Sequence, residues 1–92
     1  MSDKQIIVTV SGVDKVGIVA RVTAELAKFE VNIEDIKQTL MQGHFVMFLL
    51  GNIENSKFQF CEIKEGLTNL GKEMGMEIWV QRKEIFDSMH GV

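Results

Sequence analysis

Ser11–Val19 reads SGVDKVGIV, and the spacing of the apolar residues changes across it. Upstream, Gln5 to Val10 alternates, with Ile6, Val8 and Val10 on one face and Ile7 and Thr9 on the other, which is the two-residue period of a strand. Downstream, Ile18, Val19, Val22, Leu26 and Phe29 recur at spacings of three and four, the period of an amphipathic helix of about three turns. Arg21, Glu25 and Lys28 fall off that stripe, and Arg21 and Glu25, four apart, are expected to pair on the solvated side. The stretch is thus a junction between a strand and a helix. Such a junction leaves N–H groups at the helix start without intrahelical partners and puts the positive end of the peptide dipoles there, so it can receive a carboxylate or a phosphate.

Beyond this helix, Val31 and Asn32 lead into a second extended segment, Ile33 to Met41. Its alternation is imperfect, as expected of an edge strand with a bulge. Gln42-Gly43 supplies a turn, and Phe45 to Leu50 is apolar on both sides, which places it inside a sheet. Ser56 and Gln59 are spaced as a capping box for the next helix. There Phe60, Ile63, Leu67, Leu70 and Met74 make one stripe. Gly66 and Gly71 each cost about 1 kcal/mol against alanine inside a helix, so close packing or fraying is expected near Gly71, and Gly75 fits the stop. Met76 to Arg82 alternates again with Ile78 and Val80 on one face and Trp79 off it, and Lys83 to His90 reads as a short docked helix.

The order strand, helix, strand, strand, helix, strand predicts an α+β chain, a ferredoxin-like βαββαβ sandwich. It has a four-stranded antiparallel sheet, the first and third strands central and two helices on one face. The other face then carries Ile7, Trp79 and one side of Phe45 to Leu50. An apolar patch of that kind must be covered by a partner or by the C-terminal tail, residues 83–92. A second copy of the chain, in a homodimer, is the expected cover.

The chain has 92 residues, 46% of them hydrophobic, enough for one core and so one domain over residues 1–92. The formal charge of −3 comes from interspersed acids and bases with no basic block longer than Arg82-Lys83, which argues against nucleic acid as a partner. There is no basic leader into an apolar stretch, and Phe45 to Leu50 is too short to cross a bilayer; no membrane association and a cytoplasmic location are expected. Cys61, the only cysteine, is expected to be buried between Phe60 and Ile63.

Little in the sequence supports catalysis. His44 and His90 are read as surface residues with no metal-ligand spacing between them and Cys61. Glu34-Asp35 is a pair by sequence only, since strand neighbours point to opposite faces. The Gly12–Gly17 loop has neither a third glycine for a dinucleotide fingerprint nor a Gly-Lys-Ser/Thr ending. No catalytic residue, metal or cofactor is expected.

SGVDKVGIVARVTAEL followed by Asn32-Ile33 resembles the ACT domain, a small regulatory module of the βαββαβ fold. DKVGIVA, NIEDIKQT and the tail IFDSMHGV are most similar to stand-alone ACT proteins related to the glycine cleavage system repressor and to the N-terminal domain of formyltetrahydrofolate deformylase. The resemblance implies a non-catalytic sensor that binds a small metabolite, in the first place an amino acid, at an interface between ACT units and signals to a partner protein. Its polar end would meet Gly12, Val13, Asp14, Lys15, Val16, Gly17 and Ile18, with Asn32 and Ile33 completing the site from a neighbouring subunit. Asp14 would engage an ammonium group or cap the helix, and Gly17 would let the ligand approach the backbone. Many ACT domains have proline where this chain has Val16, and the repressor type carries two units per chain where this one has one, so the second unit must come from another copy. The deformylase likeness concerns a regulatory part and carries no hydrolase activity. The alternative is a purely structural protein-interaction module without a small ligand.

Overall fold

The computed structural model describes residues 4–89, so His90 and the end of the tail lie outside the described residues. In chain order the elements are β1 (Gln5–Val13), α1 (Ile18–Lys28), β2 (Asn32–Met41), β3 (His44–Asn52), α2 (Phe60–Met74), β4 (Glu77–Arg82) and α3 (Lys83–Met89). The strands form one antiparallel sheet in the order β2-β3-β1-β4, the ferredoxin-like arrangement with β1 and β3 central. β1 runs three residues past the alternation that marks it, because its pairing with β3 continues to Val13 opposite His44.

Period two decides which side chains enter the core. Ile6, Val8 and Val10 of β1, Phe45, Met47 and Leu49 of β3, and Ile78 and Val80 of β4 are buried against Ile18, Val22 and Leu26 of α1 and Ile63, Leu67, Leu70 and Met74 of α2. Full burial of such a side chain contributes roughly 1.5–3 kcal/mol. The two helices meet at Gly66, where a Cβ would overlap the Phe29 ring; Gly71 is buried, and a Cβ there would stand 2.8 Å from the Met76 carbonyl oxygen. Close packing, not fraying, accounts for both glycines, and α2 continues to Met74. Gly75 then ends it with a φ of 72°, and the Met76 N–H returns to the Gly71 carbonyl at 2.8 Å, closing the helix end.

Three local expectations are corrected. The capping box is formed by Gln59 and Glu62, not by Ser56 and Gln59; the Ser56 hydroxyl donates to the Phe29 carbonyl at 2.6 Å and accepts from the Phe58 N–H at 3.0 Å, fastening the loop before α2 to the end of α1. Cys61 is exposed, since it falls one position off the stripe that Phe60 and Ile63 bury. Arg21 pairs across to Glu73 on α2 at 2.7 Å instead of along its own helix with Glu25.

β2 is one of the two edge strands, β4 being the other; it is exposed along its length except at Ile33 and carries the expected irregularity between Ile33 and Asp35. The bulge changes the reading of the carboxylates. Asp35 pairs with Leu50, and Glu34 accepts from Gln5 Nε2 at 2.8 Å and Asn52 Nδ2 at 3.1 Å, residues whose alternation sets them on the side of the sheet away from α1 and α2. Both acids therefore serve the open face, because the extra residue breaks the alternation that would have separated them.

α3 docks on that face. The Phe86 ring meets Phe48 edge-on with centroids 6.2 Å apart, and Ile7 is only 8% exposed. The tail thus covers one end of the apolar face. Phe48 at 43% and Trp79 at 61% remain open to solvent.

Candidate functional site

The loop between β1 and α1 is held at both sides. The Asp14 N–H donates to the Gly43 carbonyl at 3.0 Å, tying the loop to the β2–β3 turn. Lys15 Nζ donates to the Met74 carbonyl at 2.5 Å, tying it to the last turn of α2. A lysine there satisfies a carbonyl that the helix leaves unpaired and sits at the negative end of its dipole.

Gly17, not Asp14, occupies the N-cap position of α1. It has a φ of 86°, no side chain caps the helix, and its first turn carries no acidic residue. The first intrahelical bond runs from the Arg21 N–H to the Gly17 carbonyl, so the N–H groups of Ile18, Val19 and Ala20 precede it. Asp14 lies three residues too early to act as the cap, because the turn through Val16 and Gly17 intervenes. A Cβ on Gly17 would meet nothing within 4 Å: the space before the helix end is open, and the positive φ is what calls for glycine. Val13 (67% exposed) and fully exposed Val16 flank it. Ile18 is buried and anchors the helix start in the core. The arrangement offers oriented donors in a partly positive field beside apolar surface, which suits a small carboxylate.

Asn32 and Ile33 are not part of this cluster within one chain. Asn32 pairs with Asn52, which faces Gln5 at the start of β1, whereas Val13 at the loop end is level with His44 and Met41. The two proposed halves therefore sit at opposite ends of the sheet. Asn32 is exposed, and Ile33 is partly buried against the core.

One polar pair escapes a reading of the sequence. Ser11 Oγ and His44 Nε2 are 3.1 Å apart on the open face although 33 positions separate them; only the register, Val13 against His44, brings them together. Both belong to an exposed sheet surface, and no carboxylate among the described residues bonds the ring, so the pair lacks the orienting group of a nucleophilic site. No group of three or more His, Cys, Asp or Glu side chains among the described residues is placed to hold a metal ion. No helix among them is long and apolar enough to cross a membrane.

The sequence pattern of the ACT domain family matches residues 4–81, ending before α3. Over 92 residues, all of both chains, the sequence is 40% identical to the UPF0237 protein of Methanosarcina acetivorans. Among solved structures it is similar to an ACT domain protein from Streptococcus pneumoniae, with a TM-score of 0.78 and 32% identity over 90% of this chain and 93% of that one. A formyltetrahydrofolate deformylase from Pseudomonas syringae pv. tomato shares the fold, with a TM-score of 0.76 and 23% identity over 84% of this chain and 26% of the enzyme.

Proposed function

The chain belongs to the ACT domain family, whose members are regulatory small-molecule-binding modules, and from that premise we propose that it is a non-catalytic sensor of a small metabolite, an amino acid in the first place. The observation that carries the reading is the uncapped start of α1: Gly17 at the N-cap, with no side-chain cap and no acid in the first turn, held in place by Asp14 and Lys15 on either side. The α-carboxylate would rest on those N–H groups, and Asp14 and Lys15 would border its polar end. Val13 and Val16 would meet its side chain.

Asn32 and Ile33 enter the proposal through a second copy. β2 is an edge strand whose outer side is unpaired among the described residues. Antiparallel pairing of two such edges along their full length about a two-fold axis would set Asn32 of one copy level with Met41 of the other, two strands from β1 but beside the β2–β3 turn to which Asp14 ties the loop. A homodimer is thus the assembly that could complete the site, and the surface it presents to a regulated protein would change on filling.

A thermal-shift screen over amino acids, folates and nucleotides tests this. Ligand at about a hundred times its dissociation constant stabilises by roughly 2.7 kcal/mol, and each kcal/mol raises Tm by about 4–8 °C in a domain of this size. A flat response across the panel at millimolar concentration removes the sensor reading.

Exposed Trp79 and Phe48 favour a second reading, a protein-interaction module that docks through its open sheet face without a small ligand. Under it, Trp79→Glu abolishes capture of the partner, and no metabolite moves Tm.

A further inference from the structure

A groove of about 240 Å³ runs between α3 and the β2 edge on the open face, away from the α1 loop. Its floor is Ile7, Leu50 and Phe48, and Phe86 of α3 forms one wall. Charges stand only on its rim. Lys83 and Asp87 of α3 bind each other at 2.5 Å. Across from them, Asp35 gives one carboxylate oxygen to the Ile36 N–H at 2.9 Å and keeps the other, and Lys37 makes no ion pair with another described residue. Glu34 is held back from the groove by the side-chain amides of Gln5 and Asn52.

Asp35 and Lys37 pair with Leu50 and Phe48, so their side chains leave β2 on the same face. Two residues apart on a strand, their Cα atoms are roughly 6–7 Å apart, which keeps the two side chains near enough for one small zwitterion to reach both with charge-assisted hydrogen bonds. We propose that this groove is a second small-molecule site, one that takes a zwitterion with an apolar side chain, such as a branched or aromatic amino acid. The carboxylate meets Lys37, the ammonium meets the free oxygen of Asp35, and the hydrocarbon lies on Ile7, Leu50, Phe48 and Phe86. The volume falls below the roughly 300–1,000 Å³ usual for larger ligands and suits a molecule of amino-acid size. Rim and floor together match both halves of such a molecule, whereas a purely apolar occupant would make no use of Lys37 and Asp35, which stand exposed beside it. Because α3 supplies one wall and lies beyond the residues that the family pattern matches, this site does not rest on the loop reading and stands or falls separately.

Titration of the full chain with L-leucine or L-phenylalanine, followed residue by residue through backbone amide NMR shifts, separates the two sites. Saturable shifts at Ile7, Lys37, Phe48 and Phe86 are expected. Two half-molecules of leucine, 4-methylpentanoate without the ammonium and 3-methylbutylamine without the carboxylate, should each bind about tenfold more weakly, as should leucine to Lys37→Gln or Asp35→Asn. These substitutions lie on an exposed strand and leave the core untouched. Shifts confined to residues 12–18 overturn the groove while leaving the loop standing. Equal binding of either half-molecule, or no shift at millimolar ligand, overturns it as well.

Discussion

Lys15 bridges 59 positions of chain to place its ammonium on the Met74 carbonyl, so the loop that opens α1 is fastened to the end of α2. The bond makes one residue serve two ends: it fixes the loop and closes a helix terminus. Replacing Lys15 by methionine keeps most of the side-chain bulk and removes the donor. Stability should fall by about 1 kcal/mol, read as a drop in Tm of about 4–8 °C; an unchanged Tm would show that solvent satisfies the carbonyl equally well.

Gly17→Ala asks a different question of the same loop. There is room for the methyl group, but the φ of 86° is unfavourable for any side chain, at a cost of roughly 1–2 kcal/mol. The variant should fold with a reduced urea midpoint and an unchanged m-value, and any thermal shift caused by an amino acid at the loop should shrink.

Gly66 sits where propensity and packing oppose each other. Alanine there gains about 1 kcal/mol of helix propensity, yet its methyl would overlap the Phe29 ring, which is itself packed edge-on against Phe58 at 5.1 Å. Overpacking typically costs 1–3 kcal/mol, so Gly66→Ala should be neutral to destabilising by about 2 kcal/mol. Pairing it with Phe29→Leu should recover part of the loss in a double-mutant cycle. A stabilised single variant would show that the ring yields freely.

Trp79 reports on assembly. With 61% of its surface exposed, Trp79→Glu should change monomer stability by no more than about 0.5 kcal/mol. If the open face is an interface, light scattering should then give a smaller species than the parent chain at the same concentration. If β2 is the interface, the two should have the same mass.

The elements were legible because each announces its period. Ile6-Val8-Val10 and Ile18-Val22-Leu26 bury the faces that their spacing selects, and the imperfect alternation of Ile33 to Met41 corresponds to an edge with a bulge. Positions set by shifts of one to three residues were not legible. Gln59 and Glu62 satisfy a capping-box spacing as well as Ser56 and Gln59 do, and only the geometry of the preceding turn chooses between them. Cys61 adjoins two apolar positions in sequence but lies off the buried stripe. Asp14 has the chemistry of a cap and lacks the placement, since the chain takes another turn before α1 begins. The groove under α3 was equally hidden. Lys37 and Phe86 are far apart in sequence, and each taken alone reads as a solvated charge or a packing residue.

The outer edge of β2 has a consequence for how the chain survives synthesis. Ten residues of strand with an unpaired border form a template on which another unfolded chain can add by backbone pairing, the first step toward fibrils. Glu34, Asp35 and Lys37, together with the kink between Ile33 and Asp35, interrupt that template. Removing these charges would therefore endanger refolding at high concentration before it affected the folded state, and turbidity during dilution from urea would reveal it.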